Sequence, residues 1–151
     1  MHPRIDYGTA SPNGLSAMLG MERHVHASGL DATLIELVKM RASVINGCAY
    51  CVDMHTKIAR SLGETEQRVY AVAVWEETPF FTQRERAALA WTDAVTLVSL
   101  DHVPDEVYEL AREEFNEQEL VDLTLAIVTI NAWNRLALAF RTVPGSYRLG
   151  E

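Results

Sequence analysis

Glu36-Leu37-Val38-Lys39-Met40-Arg41-Ala42-Ser43-Val44-Ile45-Asn46-Gly47-Cys48-Ala49-Tyr50-Cys51-Val52-Asp53-Met54-His55 joins a helical apolar pattern to a close cysteine pair across a sharp corner. Upstream, Asp31 is placed to cap a helix whose Leu34, Leu37, Val38 and Ile45 share one face. Gly47 suits the position just past that helix's end, where positive φ is needed. A second helix then opens at about Cys48, runs to Leu62, and stops at Gly63. Two helices and a tight corner, with no alternating strand pattern between them, set the reading of everything around them.

Working outward, the same punctuation recurs. A helix is expected from Ser11 or Pro12 to His26, ending at Ser28-Gly29. Thr65 caps a short one running to about Trp75. Thr82-Gln83-Arg84-Glu85 is a capping box opening a helix that reaches about Leu100. Pro104-Asp105-Glu106 starts another, and Asn116-Glu117-Gln118-Glu119 caps the last and longest, which Pro144-Gly145 should end. That last helix carries two apolar stripes, Leu123, Ile127, Ile130 and Val121, Leu125, Val128, Ala132. A helix apolar on more than one face is central or lies at a subunit interface. The expectation is an all-α, single-domain bundle of six or seven helices spanning residues 1–151, with an extended arm at 1–10 and a polar tail at 144–151.

Bulk properties exclude several roles. Of 151 residues, 48% are hydrophobic and 23% charged, an ordinary globular balance. The formal net charge of −8 repels a phosphate backbone and anionic lipid alike, so no nucleic acid and no membrane are expected as partners. Met1-His2-Pro3-Arg4 leads into no apolar signal core. The most apolar segment, Leu120 to Phe140, contains Asp122, Asn131, Asn134 and Arg135, which argues against a membrane span. Only two cysteines occur, at Cys48 and Cys51, unlike a secreted disulfide scaffold. A cytoplasmic chain is expected.

Cysteines at i and i+3 in a helix's first turn place both sulfurs on one face. A disulfide across so small a loop barely restrains the unfolded chain, so it works better as a redox pair than as a staple. The helix N-terminus favours a thiolate, the reactive species. His55 lies one turn beyond Cys51, so Cys48, Cys51, His55 and Ile58 form a stripe. An imidazole there can take a thiol proton. Antiparallel packing across the Asn46-Gly47 corner brings Glu36 within reach of His55. Glu36 and His55 are expected to act on thiol reactivity, with little effect on folding when replaced. Cys48, at the corner, is expected to be the outer, more solvent-near sulfur. A zinc site built on Cys48, Cys51 and His55 would need a fourth ligand from Glu36, another histidine or water. A thioredoxin-type site would need a preceding strand, which is absent. No cofactor and no metal are expected.

The Glu36…Cys48-Ala49-Tyr50-Cys51…His55 spacing, with the intervening Lys39 to Gly47, resembles the alkylhydroperoxidase D-like branch of the carboxymuconolactone decarboxylase superfamily. Trp75-Glu76-Glu77-Thr78-Pro79-Phe80 and Asn131-Ala132-Trp133-Asn134-Arg135 are also similar to short, single-domain members. The resemblance implies an all-helical fold assembling as homo-oligomers, trimers or hexamers, and a peroxidase cycle. Cys51 would attack a hydroperoxide, Cys48 would resolve the sulfenic acid as a disulfide, and Glu36 and His55 would relay protons. A dithiol reductant, whether lipoylated, thioredoxin-like or a small thiol, would close the cycle. Where studied members carry a histidine before the second cysteine, this chain has Tyr50, a poor base at neutral pH. The competing roles are a redox sensor or metal-binding partner protein and, for the superfamily's other class, lactone decarboxylation, which does not depend on a CxxC pair.

Overall fold

The computed structural model describes residues 2–150. Met1, at the head of the expected arm, and Glu151, at the end of the expected tail, lie outside the described residues. Among the described residues there are nine α-helices and no strand: α1 Tyr7–Ala10, α2 Pro12–Ala27, α3 Ala32–Ile45, α4 Ala49–Ser61, α5 Glu66–Ala71, α6 Gln83–Thr96, α7 Val98–Asp101, α8 Asp105–Glu114 and α9 Glu117–Phe140. A 3-10 turn, Val72–Glu77, extends α5. The all-α, single-domain expectation holds. Seven of the helices are those the punctuation predicts, and the two extra ones are single turns.

The central element is α3. Asp31 accepts from the Leu34 N–H and so caps it as expected. Every residue from Leu34 to Met40 is buried, as are Ala42 and Ser43. A helix buried on all sides must be surrounded, and α3 packs on α4, α6, α9 and the 3-10 turn. Three apolar clusters follow from that position. Leu34, Ile35 and Val38 meet Val25, Trp91, Phe115, Leu123 and Ile127. Leu37 and Met40 meet Val72, Trp75, Phe81 and Leu89. Ala42 meets Cys48, Cys51, Ile130 and Ala137. The third cluster is where the cysteine pair is held.

Helix α9 is long and apolar enough to cross a membrane by length and composition. Several of its polar side chains are instead engaged by neighbouring helices. His24 Nε2 meets Asp122 Oδ1 at 2.8 Å. Asn46 Nδ2 donates to Asn131 Oδ1 at 3.0 Å and to Asn134 Oδ1 at 2.8 Å, and Asn134 Nδ2 donates to Ser43 Oγ at 3.1 Å. These bonds tie the α3–α4 corner to α9 and make α9 a core helix. One predicted stripe, Leu123, Ile127 and Ile130, is wholly buried. The other faces outward, with Val121 59% and Val128 47% exposed.

Four boundaries differ from expectation, each for a local reason. The arm is not wholly extended: Asp6 accepts from the Gly8 and Thr9 N–H groups and nucleates α1. The helix expected to reach Leu100 breaks at Leu97 (φ −97, ψ 25), beyond which the side chains are exposed and no partner holds a helical face. The helix expected to reach Trp75 tightens after Ala71, where Arg41 and Arg86 guanidinium groups donate to carbonyls of Ala73, Trp75, Glu76 and Thr78. Finally α9 ends at Phe140, before Pro144-Gly145, because Arg141 adopts left-handed geometry (φ 58).

Candidate active site

Gly47 turns the corner with φ 67, a value that L side chains rarely adopt. The chain then enters α4 through Cys48, whose extended backbone (φ −84, ψ 91) makes it the N-cap and whose Sγ accepts from the Cys51 N–H at 3.4 Å. Cys48 and Cys51 are joined as a disulfide, with Cα atoms 5.3 Å apart. Cys51 therefore sits in the first turn of α4, at the positive end of the helix dipole. That setting favours a thiolate once the bond is opened.

The expected contact between α3 and α4 is present. His55 Nδ1 lies 2.8 Å from Glu36 Oε2, with both residues buried at 5% and 2% exposure. A carboxylate facing Nδ1 fixes that nitrogen as the N–H donor and leaves Nε2 as the basic atom. Cys51, His55, Glu36 and Ile58 all line one cavity of about 440 Å³. Cys48 does not, and at 1% exposure it is buried against Ala42, Ile130 and Ala137. The expectation that Cys48 is the solvent-near sulfur is thus corrected. An N-cap at a corner packed under α9 is covered, while the residue one turn on faces the cavity.

Among the described residues, no three His, Cys, Asp or Glu side chains converge as metal ligands would. The set weighed for zinc is not assembled. The sulfurs are bonded to each other, and His55 Nδ1 is bonded to Glu36.

The same cavity is lined by a second charged group that sequence reasoning missed. Lys39, 1% exposed, donates from Nζ to Glu22 Oε1. Glu22 Oε1 also meets His26 Nε2 at 3.0 Å, and its Oε2 accepts from Trp133 Nε1 at 3.1 Å. Burial works to raise the Glu22 carboxyl, but the Lys39 ammonium, the Trp133 indole and His26 outweigh it and hold the group below its ordinary value. A signal was available: Lys39 lies three residues after Glu36, on the same face of a helix otherwise apolar there. Glu22, on the more polar α2, carried none.

The terminal segments were also missed. Tyr7 from α1 and Tyr147 from the tail join Tyr50 in lining the cavity. Arg4 N–H donates to Phe140 O, Gly145 N–H donates to Asp53 Oδ2 at 3.0 Å, and Lys57 Nζ donates to Tyr147 O at 3.2 Å. Arm and tail are therefore tied across α9 and α4 as walls. Burial, reinforced by Tyr7, Tyr147 and Asp53, raises the Tyr50 phenol above its ordinary value of 10.0. Tyr50 is thus a neutral donor near neutral pH.

The lowered Glu22 carboxyl has a stability consequence. A group whose folded value is depressed stabilises the fold above its unfolded value, here 4.5, and that stability is lost as pH falls through the folded value. Replacing Glu22 with Gln should cost stability at neutral pH by leaving Lys39 buried without its carboxylate. The gap from wild type should narrow as pH falls below the ordinary value of 4.5 and through the depressed folded value, where wild-type Glu22 takes up its own proton. Urea midpoints at neutral and acid pH check this, and a constant gap would contradict it.

Residues 12–94 match the family model described as carboxymuconolactone decarboxylase. The chain is 44% identical over 139 residues to the uncharacterized protein YdfG of Bacillus subtilis, covering 92% of this chain and 95% of that one. A crystal structure from Agrobacterium tumefaciens superimposes with a TM-score of 0.94 at 44% identity, covering 97% of this chain and all of that one. It is of a protein of unknown function, described as a candidate antioxidant defence protein AhpD. The debrominase Bmp8 shares the fold alone, with a TM-score of 0.82 at 22% identity over 91% of this chain and 74% of that one.

Proposed function

The chain belongs to the carboxymuconolactone decarboxylase family, in its alkylhydroperoxidase D-like branch, and on that footing we propose that it is a thiol-dependent peroxidase of the cytoplasm. Cys51 thiolate attacks the outer oxygen of a hydroperoxide, ROOH, forming an S–O bond as the O–O bond breaks. The alcohol leaves and Cys51 is a sulfenic acid. Cys48 sulfur then attacks Cys51 sulfur, water departs, and the disulfide remains. A dithiol returns both cysteines to thiols and becomes oxidised itself. Lipoylated, thioredoxin-like and small thiol reductants all have the needed chemistry.

The observation that carries this reading is the buried Glu36–His55 pair one helical turn beyond the cavity-facing Cys51. A structural disulfide would have no use for a buried carboxylate–imidazole pair lining the same cavity, and a four-residue staple would stabilise little. The test is a count of free thiols in the reduced protein. One equivalent of hydroperoxide should take two thiols to none, and a dithiol should restore both. Thiols unchanged after peroxide would overturn the peroxidase reading and leave disulfide exchange or sensing.

We further propose that the protein works as a homo-oligomer, a hexamer rather than a trimer. The support is the outward stripe of α9, where Val121 and Val128 are exposed beside half-buried Leu125 and Ala132. Closed symmetry would bury such a stripe against its copies. Sedimentation should give a multiple of 16.9 kDa, and a monomer at micromolar concentration would contradict it.

A further inference from the structure

We propose that Lys39 is a second catalytic group, the acid that receives the leaving oxygen of a hydroperoxide bound in the cavity it lines together with Cys51 and His55. This rests on the peroxidase reading and deepens it. The cavity carries two acid–base couples, both rooted in α3 and three residues apart there. Glu36 reaches to His55 on α4, beside Cys51, while Lys39 reaches to Glu22 on α2. The two couples join different neighbours, α4 and α2, to α3, and Lys39 is buried at 1% exposure while lining the cavity.

Displacement at a peroxide is in line. The leaving oxygen lies beyond the attacked oxygen, on the far side from sulfur. A base that took the Cys51 proton sits beside the sulfur and is badly placed to reach it. A separate donor in the cavity is what the reaction needs, and Lys39 has the form of one. An ammonium has three N–H donors, and among the described residues Glu22 is the acceptor recorded for Lys39 Nζ. A buried ammonium with donors to spare, lining a cavity, is placed to bind an oxygen that is becoming an alkoxide.

The protons balance. His55 takes the Cys51 proton, Lys39 gives one to RO⁻ to make ROH, and the hydroperoxide's own hydrogen stays on the sulfenic acid. When Cys48 closes the disulfide, its proton leaves with the hydroxide as water. The proton remaining on His55 and the one missing from Lys39 then cancel through solvent. The route to Lys39 is Glu22 and the His26 bonded to it, whose side chain is 53% exposed.

The test varies the leaving group. An alkyl hydroperoxide such as cumene hydroperoxide expels a strongly basic alkoxide that must be protonated. Peracetic acid expels acetate, which needs no proton. In single-turnover oxidation of the reduced protein, Lys39→Met should be slowed about 100-fold or more with cumene hydroperoxide, the usual scale of general-acid catalysis, and less than about tenfold with peracetic acid. Alkylation of Cys51 by iodoacetamide should be nearly unaffected. Equal slowing with both oxidants, or slowing of alkylation by the same factor, would make Lys39 a support for the thiolate or the fold and overturn the proposal. So would no slowing at all. Should Lys39→Met fail to fold, the Lys39→Met/Glu22→Gln double variant removes the pair as a unit and must show the same contrast. Wild type that reacts with neither oxidant overturns the peroxidase reading beneath. Wild type that reacts with both while the variant fails to discriminate overturns this inference alone.

Discussion

Cys51→Ser is expected to lose hydroperoxide consumption altogether, while Cys48→Ser should consume one equivalent and stop with a sulfenic acid on Cys51. The asymmetry follows from placement. Cys51 faces the cavity with His55 one turn beyond it, and Cys48 is buried beneath α9 as the N-cap of α4. A hydroperoxide entering the cavity meets the second sulfur first. With Cys48 replaced, nothing lies at disulfide distance to displace the hydroxide, and the apolar contacts around Cys51 slow any external thiol. The oxidised species should therefore be trappable with a sulfenic-acid reagent. In the Cys51→Ser protein the remaining thiol is packed against Ala42, Ile130 and Ala137, does not line the cavity, and should survive peroxide unoxidised. A sulfenic acid trapped on Cys48 in that variant, with none on Cys51 in the other, would exchange the roles.

The burial of Cys48 shows where sequence reasoning reached its limit. Helical spacing places Cys48, Cys51 and His55 on one stripe, and capping residues fix the corner between α3 and α4 within a residue. Both are local properties, decided by nearest-neighbour hydrogen bonds and 3.6-residue periodicity. Which end of that stripe faces solvent depends on α9, tied to the corner through Asn46 and Asn134, 88 residues apart. The same limit hid the second couple. Nothing in the sequence of α2 distinguishes Glu22 or His26, and only the packing of α2 over the cavity turns Glu22 toward Lys39 and Trp133. Tyr7 and Tyr147 became walls because the chain ends are strapped across α9 and α4, through bonds whose partners lie 90 or more residues apart. Periodicity carries no information on such pairs. Glu36 and His55 were legible because one short corner joins their helices.

His55→Ala and Glu36→Gln are expected to damage both reactivity and the fold, and by different amounts. The sequence reading expected folding to be nearly unaffected, but burial at 5% and 2% changes that. Removing the imidazole leaves a buried carboxylate without its partner, at a cost of about 3–5 kcal/mol. Glu36→Gln keeps an acceptor for the His55 Nδ1–H, so its cost should be about 1 kcal/mol, a lowering of the melting temperature by about 2–4 °C for a chain of this size. Reactivity should follow the proton rather than the packing. Without His55 the Cys51 thiol has lost the base that takes its proton, and alkylation near neutral pH should slow by about 100-fold. Glu36→Gln leaves the base in place but removes the charge that stabilises the imidazolium. A rise of one unit in the Cys51 pKa would lower the thiolate fraction about tenfold at pH below it. The two variants therefore separate the roles: His55→Ala loses more rate and more stability, while Glu36→Gln shifts the pH profile upward and recovers wild-type rate in alkali. Wild-type alkylation by both variants from about pH 5 to about pH 9 would reduce the pair to a buried structural contact, and the base for Cys51 would have to be sought elsewhere in the cavity.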